Sequence, residues 1–274
     1  MSITLLDGPI GTELIARGYP CPAPQWSAWA LQHAPHAILD LHREYAQAGA
    51  HIHTTNTFRT RPQAIGERWT DDAKLAVSLA RTAAQPGQRV AGSIAPLADC
   101  YRPQDSPDNP GPQHAALAQV LAKAGADLLL CETFPHTGEA VAAVEAAVAT
   151  GVETWVSLTA GPQADLLTPE AVRRGAQRAI QAGASAVLVN CIPATHTVTF
   201  LAAICDLGVP FGAYANAGHT DDGIGWHPDP DGPARYADLA EQWIEMGATL
   251  IGCCCGTSPA HTQTLAHRFC RSDS

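Results

Sequence analysis

Residues 124–132 read Ala-Gly-Ala-Asp-Leu-Leu-Leu-Cys-Glu, and this stretch contains the pattern that decides the fold. A helical pattern precedes Gly125, and glycine at a helix C-terminus supplies the left-handed residue that turns the chain sharply into the next element. The run Leu128–Leu130 is apolar at every position, which is typical of a strand buried on both faces of a parallel sheet. An acidic residue, Glu132, follows the run. The stretch therefore predicts a helix, a tight turn and a buried strand with a polar side chain near its carboxyl end.

The same phrase recurs along the chain, as Ala48-Gly49-Ala50, Ala182-Gly183-Ala184 and Met246-Gly247-Ala248. Eight apolar runs alternate with helical patterns, which is typical of repeated βα units. The predicted strands are Ile3–Leu6, Ala50–Thr54, Arg89–Ser93, Asp127–Cys131, Thr154–Thr159, Ser185–Asn190, Val209–Tyr214 and Ala248–Gly252. The predicted helices are His36–Ala48, Asp71–Ala84, Gln113–Ala124, Thr137–Ala149, Thr168–Ala182, Thr195–Leu207, Pro233–Met246 and Pro259–Phe269.

Eight such units predict an α/β protein with a (β/α)8 or TIM barrel, formed as a single domain by residues 1–274. The alternative is a doubly wound open sheet, because periodicity does not show whether a sheet closes. On a barrel, chemistry takes place at the carboxyl ends of the strands. Three segments rich in Pro and Gly would cover that end as mobile loops, namely Gly18–Pro35, Ala95–Pro112 and Asn216–Gly232.

Composition narrows the function. The chain of 274 residues has 16 Lys+Arg against 26 Asp+Glu, a formal net charge of −10, so it lacks the basic surface that nucleic-acid binding requires. No basic leader and no apolar stretch of about 20 residues is present, which predicts a soluble cytoplasmic protein without a membrane partner. The two lysines, Lys74 and Lys123, lie in helical patterns, which argues against a Schiff-base lysine at a strand end. Oligomeric state is not determined by these features.

Sulfur is the most informative chemistry in the sequence. Nine cysteines, an odd number in a chain without a signal peptide, favour reduced thiols over a disulfide framework. Cys191 ends the sixth predicted strand, and the run Cys253-Cys254-Cys255 ends the eighth. Three thiolates around one point select Zn²⁺ and leave a fourth position open for substrate. Because neighbouring residues of a strand point to opposite faces, two adjacent cysteines share one ion only if the chain leaves the strand, as Gly256 permits.

Polar side chains at the other predicted strand ends would share this rim of the barrel. They are Asp7, Asn56, Glu132, Asn190, Tyr214 and Asn216. Acidic and amide groups around thiols are what a substrate pocket needs. No glycine-rich nucleotide fingerprint follows a strand, which argues against a nucleotide cofactor held in that way. His219 and His227 lie on the loop after the seventh strand and are weaker candidates for the pocket.

These residues resemble the zinc-dependent homocysteine S-methyltransferases over essentially the whole chain. The matching segments are Asp7-Gly8-Pro9-Ile10-Gly11-Thr12, Thr54-Thr55-Asn56-Thr57-Phe58, Gly92-Ser93-Ile94-Ala95-Pro96, Glu132-Thr133, Asn190-Cys191, Tyr214-Ala215-Asn216-Ala217-Gly218 and Cys254-Cys255-Gly256-Thr257. The last segment is the most specific. Cys253 stands where the family has a glycine, which leaves open whether Cys253 is a ligand. Ala95 also stands where a glycine is usual.

The resemblance implies Zn²⁺ held by Cys191, Cys254 and Cys255, which would be the catalytic centre. It also implies that Glu132 binds the ammonium group of homocysteine and that Asp7 helps to hold the amino acid. Asn190 and Asn216 would shape the pocket, and Tyr214 is a further candidate for substrate contact. The expected small-molecule substrates are homocysteine and a sulfonium methyl donor, S-methylmethionine or S-adenosylmethionine, since the chain is too short for cobalamin and folate modules and lacks the C-terminal extension of the betaine enzymes.

Aromatic rings attract onium ions, so Tyr214, Tyr101, Trp26 and Trp29 are candidates for the donor site. Another enzymatic interpretation keeps the zinc thiolate but uses a different methyl-onium donor or a selenol acceptor. A third interpretation is a non-catalytic zinc or thiol redox sensor, in which the cysteine triplet is oxidised to alter a partner surface.

Overall fold

The computed structural model of this chain describes residues 2–270, and all elements below lie in that range. The strands are β1 (Thr4–Leu5), β2 (Ile52–Thr54), β3 (Arg89–Ile94), β4 (Leu128–Phe134), β5 (Thr154–Leu158), β6 (Ala186–Pro193), β7 (Phe211–Asn216) and β8 (Leu250–Cys253). The helices are α1 (Gly11–Ala16), α2 (Trp29–His33), α3 (Pro35–Gln47), α4 (Pro62–Ile65), α5 (Trp69–Ala83), α6 (Gly111–Lys123), α7 (Thr137–Val148), α8 (Pro169–Gln181), α9 (Thr197–Leu201), α10 (Gly232–Glu245) and α11 (Pro259–Phe269).

The eight strands form one parallel sheet that closes on itself. Consecutive strands pair from β2 to β8, and β8 pairs with β1. The last gap is bridged where Leu6 pairs with Ile52, and the His51 amide donates to the Leu5 carbonyl at 2.7 Å. The predicted (β/α)8 barrel is therefore confirmed, and the doubly wound open sheet is wrong.

The glycines of the recurring phrase end their helices as predicted. Gly49, Gly125, Gly183 and Gly247 all have φ between 92° and 107°. After α6, the amide of Gly125 donates to the Ala122 carbonyl and the amide of Ala126 donates to the Leu121 carbonyl. These two bonds satisfy carbonyls at the helix end and send the chain directly into β4.

Apolar side chains fill two layers. The barrel interior holds residues such as Leu6, Ile52, Leu128 and Leu188, and a larger cluster lies between the strands and the surrounding helices. At Gly212 the chains approach so closely that a Cβ would lie 1.7 Å from the carbonyl oxygen of Leu250. The filled interior leaves one end of the barrel, above the last layer of side chains, for binding.

One predicted helix was wrong in extent. The segment predicted as a helix over Thr195–Leu207 begins in a 3-10 turn at Ala194–His196 and continues as α9, which ends at Leu201. Beyond it the amides of Ala203 and Ile204 bond to carbonyls three residues back, so the chain continues as tight turns. Leu201 and Ile204 remain buried on one side, and this spacing of three residues is what imitated a helix.

The three short helices α1, α2 and α4 lie in segments for which the sequence predicted no helix. Within residues 2–270, no helix combines the length and the apolar character needed to cross a membrane.

Candidate active site

A cavity of about 430 Å³ opens at the carboxyl ends of the strands. Residues that end β1, β2, β4, β6, β7 and β8 form its floor and walls. The three long loops also contribute, through Trp26 and Ser27, through Asp99–Tyr101 and through Trp226. All three loops therefore lie over the cavity, as predicted, and their mobility stays a prediction.

Three thiols converge in this cavity. The Sγ atoms of Cys191, Cys254 and Cys255, here called the thiol cluster, lie within 4.8 Å of one another, and those of Cys191 and Cys254 are 2.9 Å apart. Cys191 has a φ of 51°, and the pairing of β6 with β7 shifts register between Asn190 and Pro193. Such a bulge re-aims side chains at the end of a strand.

The turn after β8 supplies the other two thiols. Cys254 is the first residue beyond the strand, and its amide donates to the Ala215 carbonyl at 2.9 Å. The Thr257 hydroxyl donates to the Cys254 carbonyl at 2.6 Å and closes the turn. Gly256 has a φ of 80°, and a Cβ there would lie 2.7 Å from the ring of Trp226. The chain thus leaves the strand, as two adjacent cysteines at one ion would require.

Cys253 is placed differently from its two neighbours. Its side chain belongs to the core cluster between strands and helices, and it is absent from the group of thiols that lie within ligand distance. Burial raises the pKa of the Cys253 thiol to about 12. The structure therefore brings three of the four cysteines under consideration within ligand distance of one another, and Cys253, although it borders the same cavity, is outside that group.

The thiol cluster suits a cation. Hydrogen bonds from Cys191 and Cys254 hold the pKa of the Cys255 thiol well below its usual range, and the bond from Cys191 has the larger effect. The pKa of the Cys254 thiol is raised because it acts as a hydrogen-bond donor to Cys191 and Cys255 and is buried. The thiol cluster therefore accommodates one thiolate easily. It accommodates three thiolates only when a dication compensates their charge. Soft sulfur donors of this kind fit Zn²⁺.

Glu132 presents a buried carboxylate to the same cavity. Its side chain is 8% exposed, it receives a hydrogen bond from the Ser93 hydroxyl, and the Tyr214 hydroxyl donates to it at 3.0 Å. Burial raises the pKa of Glu132 to about 7, against the lowering effect of Ser93. An ammonium group of a ligand would compensate this carboxylate, which has no basic partner of its own among the salt bridges of residues 2–270.

Asp7 lines the cavity wall at the end of β1. Its Oδ2 atom accepts a hydrogen bond from the Thr54 amide at 2.8 Å. Burial raises the pKa of Asp7 well above its usual range. Asp7 also approaches two buried histidines, His42 and His53, which sequence reasoning did not single out.

The two asparagines have different positions. Asn190 does not line the cavity, and its side chain instead holds Thr133 by donating to the hydroxyl at 2.7 Å and accepting from the amide at 3.1 Å. Thr133 has a φ of 61°, so Asn190 supports the irregular end of β4 that carries Glu132. Asn216 lines the cavity, and its buried Oδ1 atom has no hydrogen-bond partner, which leaves an acceptor free for a ligand.

Aromatic side chains surround the opening. Trp26, Tyr101 and Tyr214 line the cavity as anticipated. Trp29 is not among the lining residues and instead stacks on His33 with ring centroids 4.5 Å apart. Trp226, which the sequence did not reveal as a site residue, lies over Gly256 and donates from its indole nitrogen to the Gly218 carbonyl at 2.7 Å.

Several other residues that line the cavity were not predicted from the sequence. Phe58, Arg59, Asp99 and Cys100 border the cavity, whereas His219 and His227 do not. Arg59 lies over the Phe58 ring at 5.1 Å and donates to the Ala98 carbonyl at 2.7 Å. Phe58 was visible as the end of the Thr-Thr-Asn-Thr-Phe segment, but no periodic signal indicates which residues of the long loops turn inward.

Comparisons with known proteins agree with this geometry. Residues 4–269 match a family model described as homocysteine S-methyltransferase. The homocysteine S-methyltransferase of Escherichia coli K12 is 33% identical, over 97% of this chain and 95% of that protein. Betaine--homocysteine S-methyltransferase 1 of Xenopus tropicalis is 29% identical, over 97% of this chain and 73% of that protein. The crystal structure of the metallated form of the homocysteine methyltransferase MmuM from Escherichia coli superposes with a TM-score of 0.82 and 28% identity, covering 98% of this chain and 96% of that one. The match along nearly the full chain, with the closed barrel described above, shows that this chain belongs to the homocysteine S-methyltransferase family.

Proposed function

We propose that this enzyme moves a methyl group from a sulfonium donor, S-methylmethionine or S-adenosylmethionine, to the thiol of L-homocysteine, with Zn²⁺ held by Cys191, Cys254 and Cys255. The observation that carries the proposal is the thiol cluster, three sulfur atoms within 4.8 Å of one another in a cavity that also contains the carboxylate of Glu132. In this proposal residues 1–274 form one homocysteine-binding barrel domain. The protein would act in the cytoplasm, where reducing conditions would keep the free cysteines as thiols.

The reaction needs a thiolate, because a free thiol with a pKa near 8.5 is a weak nucleophile at neutral pH. Zn²⁺ held by Cys191, Cys254 and Cys255 would supply Lewis acidity, which would lower the pKa of the substrate thiol enough to ionise it at neutral pH. The homocysteine sulfur then forms a bond to the methyl carbon while the bond from that carbon to the donor sulfur breaks. The electron pair of the broken bond stays on the donor sulfur, which becomes a neutral thioether.

The chain's own residues orient the acceptor. In this proposal the Glu132 carboxylate pairs with the homocysteine ammonium group, and Ser93 and Tyr214 hold that carboxylate in place. Asp7 and the free Oδ1 atom of Asn216 are the further acceptors for this ammonium group. Asn190 acts indirectly, because it holds Thr133 next to Glu132.

The donor would occupy the outer part of the cavity. Its positive charge suits the ring faces of Trp26, Tyr101 and Trp226, since aromatic faces attract onium ions. Among the described residues that line the cavity, Arg59 is the one Lys or Arg side chain, so it is the natural partner for an amino-acid carboxylate. An onium donor that also carries a carboxylate fits this combination.

The first test is zinc content and turnover in one preparation. Protein purified under reducing conditions should contain about one tightly bound zinc at the thiol cluster, and it should form methionine from homocysteine with S-methylmethionine or S-adenosylmethionine. The variant Cys191→Ser should lose the equivalent of zinc bound at the thiol cluster together with the activity. Cys205→Ser is the matched control, because Cys205 is an exposed free cysteine away from the cavity.

Each outcome separates the alternatives. Zinc without turnover would direct the search to other methyl-onium donors or to a selenol acceptor. Zinc lost on mild oxidation, with no turnover of any donor, would favour the redox sensor. Methyl transfer retained by Cys191→Ser would overturn the ligand assignment.

A further inference from the structure

A second group of metal-binding side chains lies behind the cavity wall. Asp7 follows β1, His42 belongs to α3 and His53 belongs to β2. One candidate ligand atom from each lies within 4.8 Å of the other two, and the Oδ2 atom of Asp7 is 3.9 Å from the Nδ1 atom of His42. We call these three residues the histidine cluster, and none of them is more than 3% exposed.

The hydrogen bonds around His53 fix which ring nitrogen carries the proton. The Oε1 atom of Gln88 accepts from the Gln85 amide at 2.7 Å, and its Nε2 atom donates to the Ala46 carbonyl. This Oε1 atom also lies 2.9 Å from Nε2 of His53, so Nε2 is the donor. In a neutral ring, Nδ1 of His53 then carries a bare lone pair, and that atom is buried without a partner.

His42 and Asp7 also have hydrogen-bonding capacity that no neighbouring group uses. Both ring nitrogens of His42 are buried without a hydrogen-bond partner. Burial lowers the pKa of His42 to about 3, so the ring is neutral and offers a lone pair. Asp7 has one hydrogen bond, from the Thr54 amide, and no cation beyond these neutral rings. Buried polar atoms without partners are rare, because each costs about 1–3 kcal/mol.

We infer that Asp7, His42 and His53 bind a divalent first-row transition-metal ion, at a site distinct from the thiol cluster. Two imidazoles and a carboxylate are a ligand set for such ions, and Gln88 supplies the outer hydrogen bond that orients His53. In tetrahedral coordination, ligand atoms lie about 3.3 Å apart, so Asp7 and His42 need to approach by less than about 1 Å. Asp7 borders the cavity, so an ion would enter from that side and a water from the cavity would complete its coordination.

The test removes the thiol cluster first. The double variant Cys191→Ser, Cys254→Ser is titrated with Co²⁺ by equilibrium dialysis and should bind one equivalent. Adding His53→Val should weaken that binding at least hundredfold. Adding Gln88→Leu, which leaves all three ligands in place, should weaken it tenfold to hundredfold. His267→Ala removes an exposed histidine and should change nothing, which controls for adventitious surface binding.

Absorption spectra of the wild-type protein and of the double variant, both loaded with Co²⁺, give an independent readout. Co²⁺ at the thiol cluster produces intense sulfur-to-metal charge-transfer bands, whereas nitrogen and oxygen ligands produce only weak visible bands. The double variant should therefore bind Co²⁺ without charge-transfer bands, whatever becomes of the methyl-transfer proposal. Failure of the double variant to bind an equivalent of Co²⁺ while its circular dichroism matches wild type would overturn the inference, as would unchanged binding in the His53→Val or Gln88→Leu variants.

Discussion

The substitution Glu132→Gln tests whether this carboxylate binds the homocysteine ammonium group. The amide has the same shape and can still accept from Ser93, but it carries no charge. Removing one partner of a buried ion pair costs at least about 3 kcal/mol, because the remaining charge is left desolvated and unpaired. At 8% exposure Glu132 is in that regime, so the expected loss in kcat/KM for homocysteine is at least about a hundredfold.

The assay varies the acceptor in the methyl-transfer reaction. Homocysteine is compared with 4-mercaptobutyrate, which has the same thiol and carboxylate but no ammonium group. Wild type should strongly prefer homocysteine, and Glu132→Gln should lose most of that preference while treating 4-mercaptobutyrate about as wild type does. Zinc content is measured in both proteins so that any metal loss is visible.

A milder variant calibrates the effect. Tyr214→Phe removes the 3.0 Å hydrogen bond to Glu132 and leaves the charge, which should cost about 1.5 kcal/mol, or about tenfold in kcat/KM for homocysteine. If Glu132→Gln lowers kcat/KM equally for both acceptors, or leaves the homocysteine value unchanged, then Glu132 does not pair with the ammonium group and the reasoning is refuted.

Three more outcomes are expected. Because the pKa of Glu132 in the free enzyme is about 7, its ionised form is lost as the pH falls through 7. The value of kcat/KM for homocysteine should therefore fall about tenfold per pH unit below that point. This fall should be absent from the pH profile of Glu132→Gln. Cys253→Ala should keep the equivalent of zinc bound at the thiol cluster, measured by elemental analysis, whereas Cys254→Ser should lose that equivalent; its loss from Cys253→Ala would move the site by one residue. Gly212→Ala should lower the free energy of unfolding by about 3 kcal/mol or more in denaturant titrations, because its Cβ would meet the Leu250 carbonyl at 1.7 Å, while Gly111→Ala, where a Cβ meets nothing within 4 Å, should leave it nearly unchanged.

Much of the fold was predictable because its signals are local. The glycine after each helix determines where the chain turns, and Gly125 shows this with a φ of 92°. The apolar runs mark buried strands, since both faces of a parallel sheet are covered. The segment Thr195–Leu207 was less predictable, because residues spaced by three share a side in a helix and in successive tight turns alike.

Much of the site was predictable because its polar residues lie at the carboxyl ends of strands. Glu132, Tyr214 and Asn216 line the cavity for that reason, since all parallel strands end on one rim. Asn190 follows the same rule in sequence, yet it turns inward to hold Thr133. Trp226 and Arg59 come from loops and carried no signal, because a loop's inward residues are selected by contacts with other loops.

The sequence by itself determined the alternation of strands and helices, the turns between them and the rim on which the thiols lie, because each depends on neighbours within a few residues. Only the tertiary structure decided that the sheet closes, that Cys253 stays outside the thiol cluster, and that His42 and His53 meet Asp7. These outcomes depend on backbone bulges and on contacts between residues far apart in the chain. The direction in which a side chain points at the end of a strand is set by such contacts, and neither residue type nor spacing contains that information.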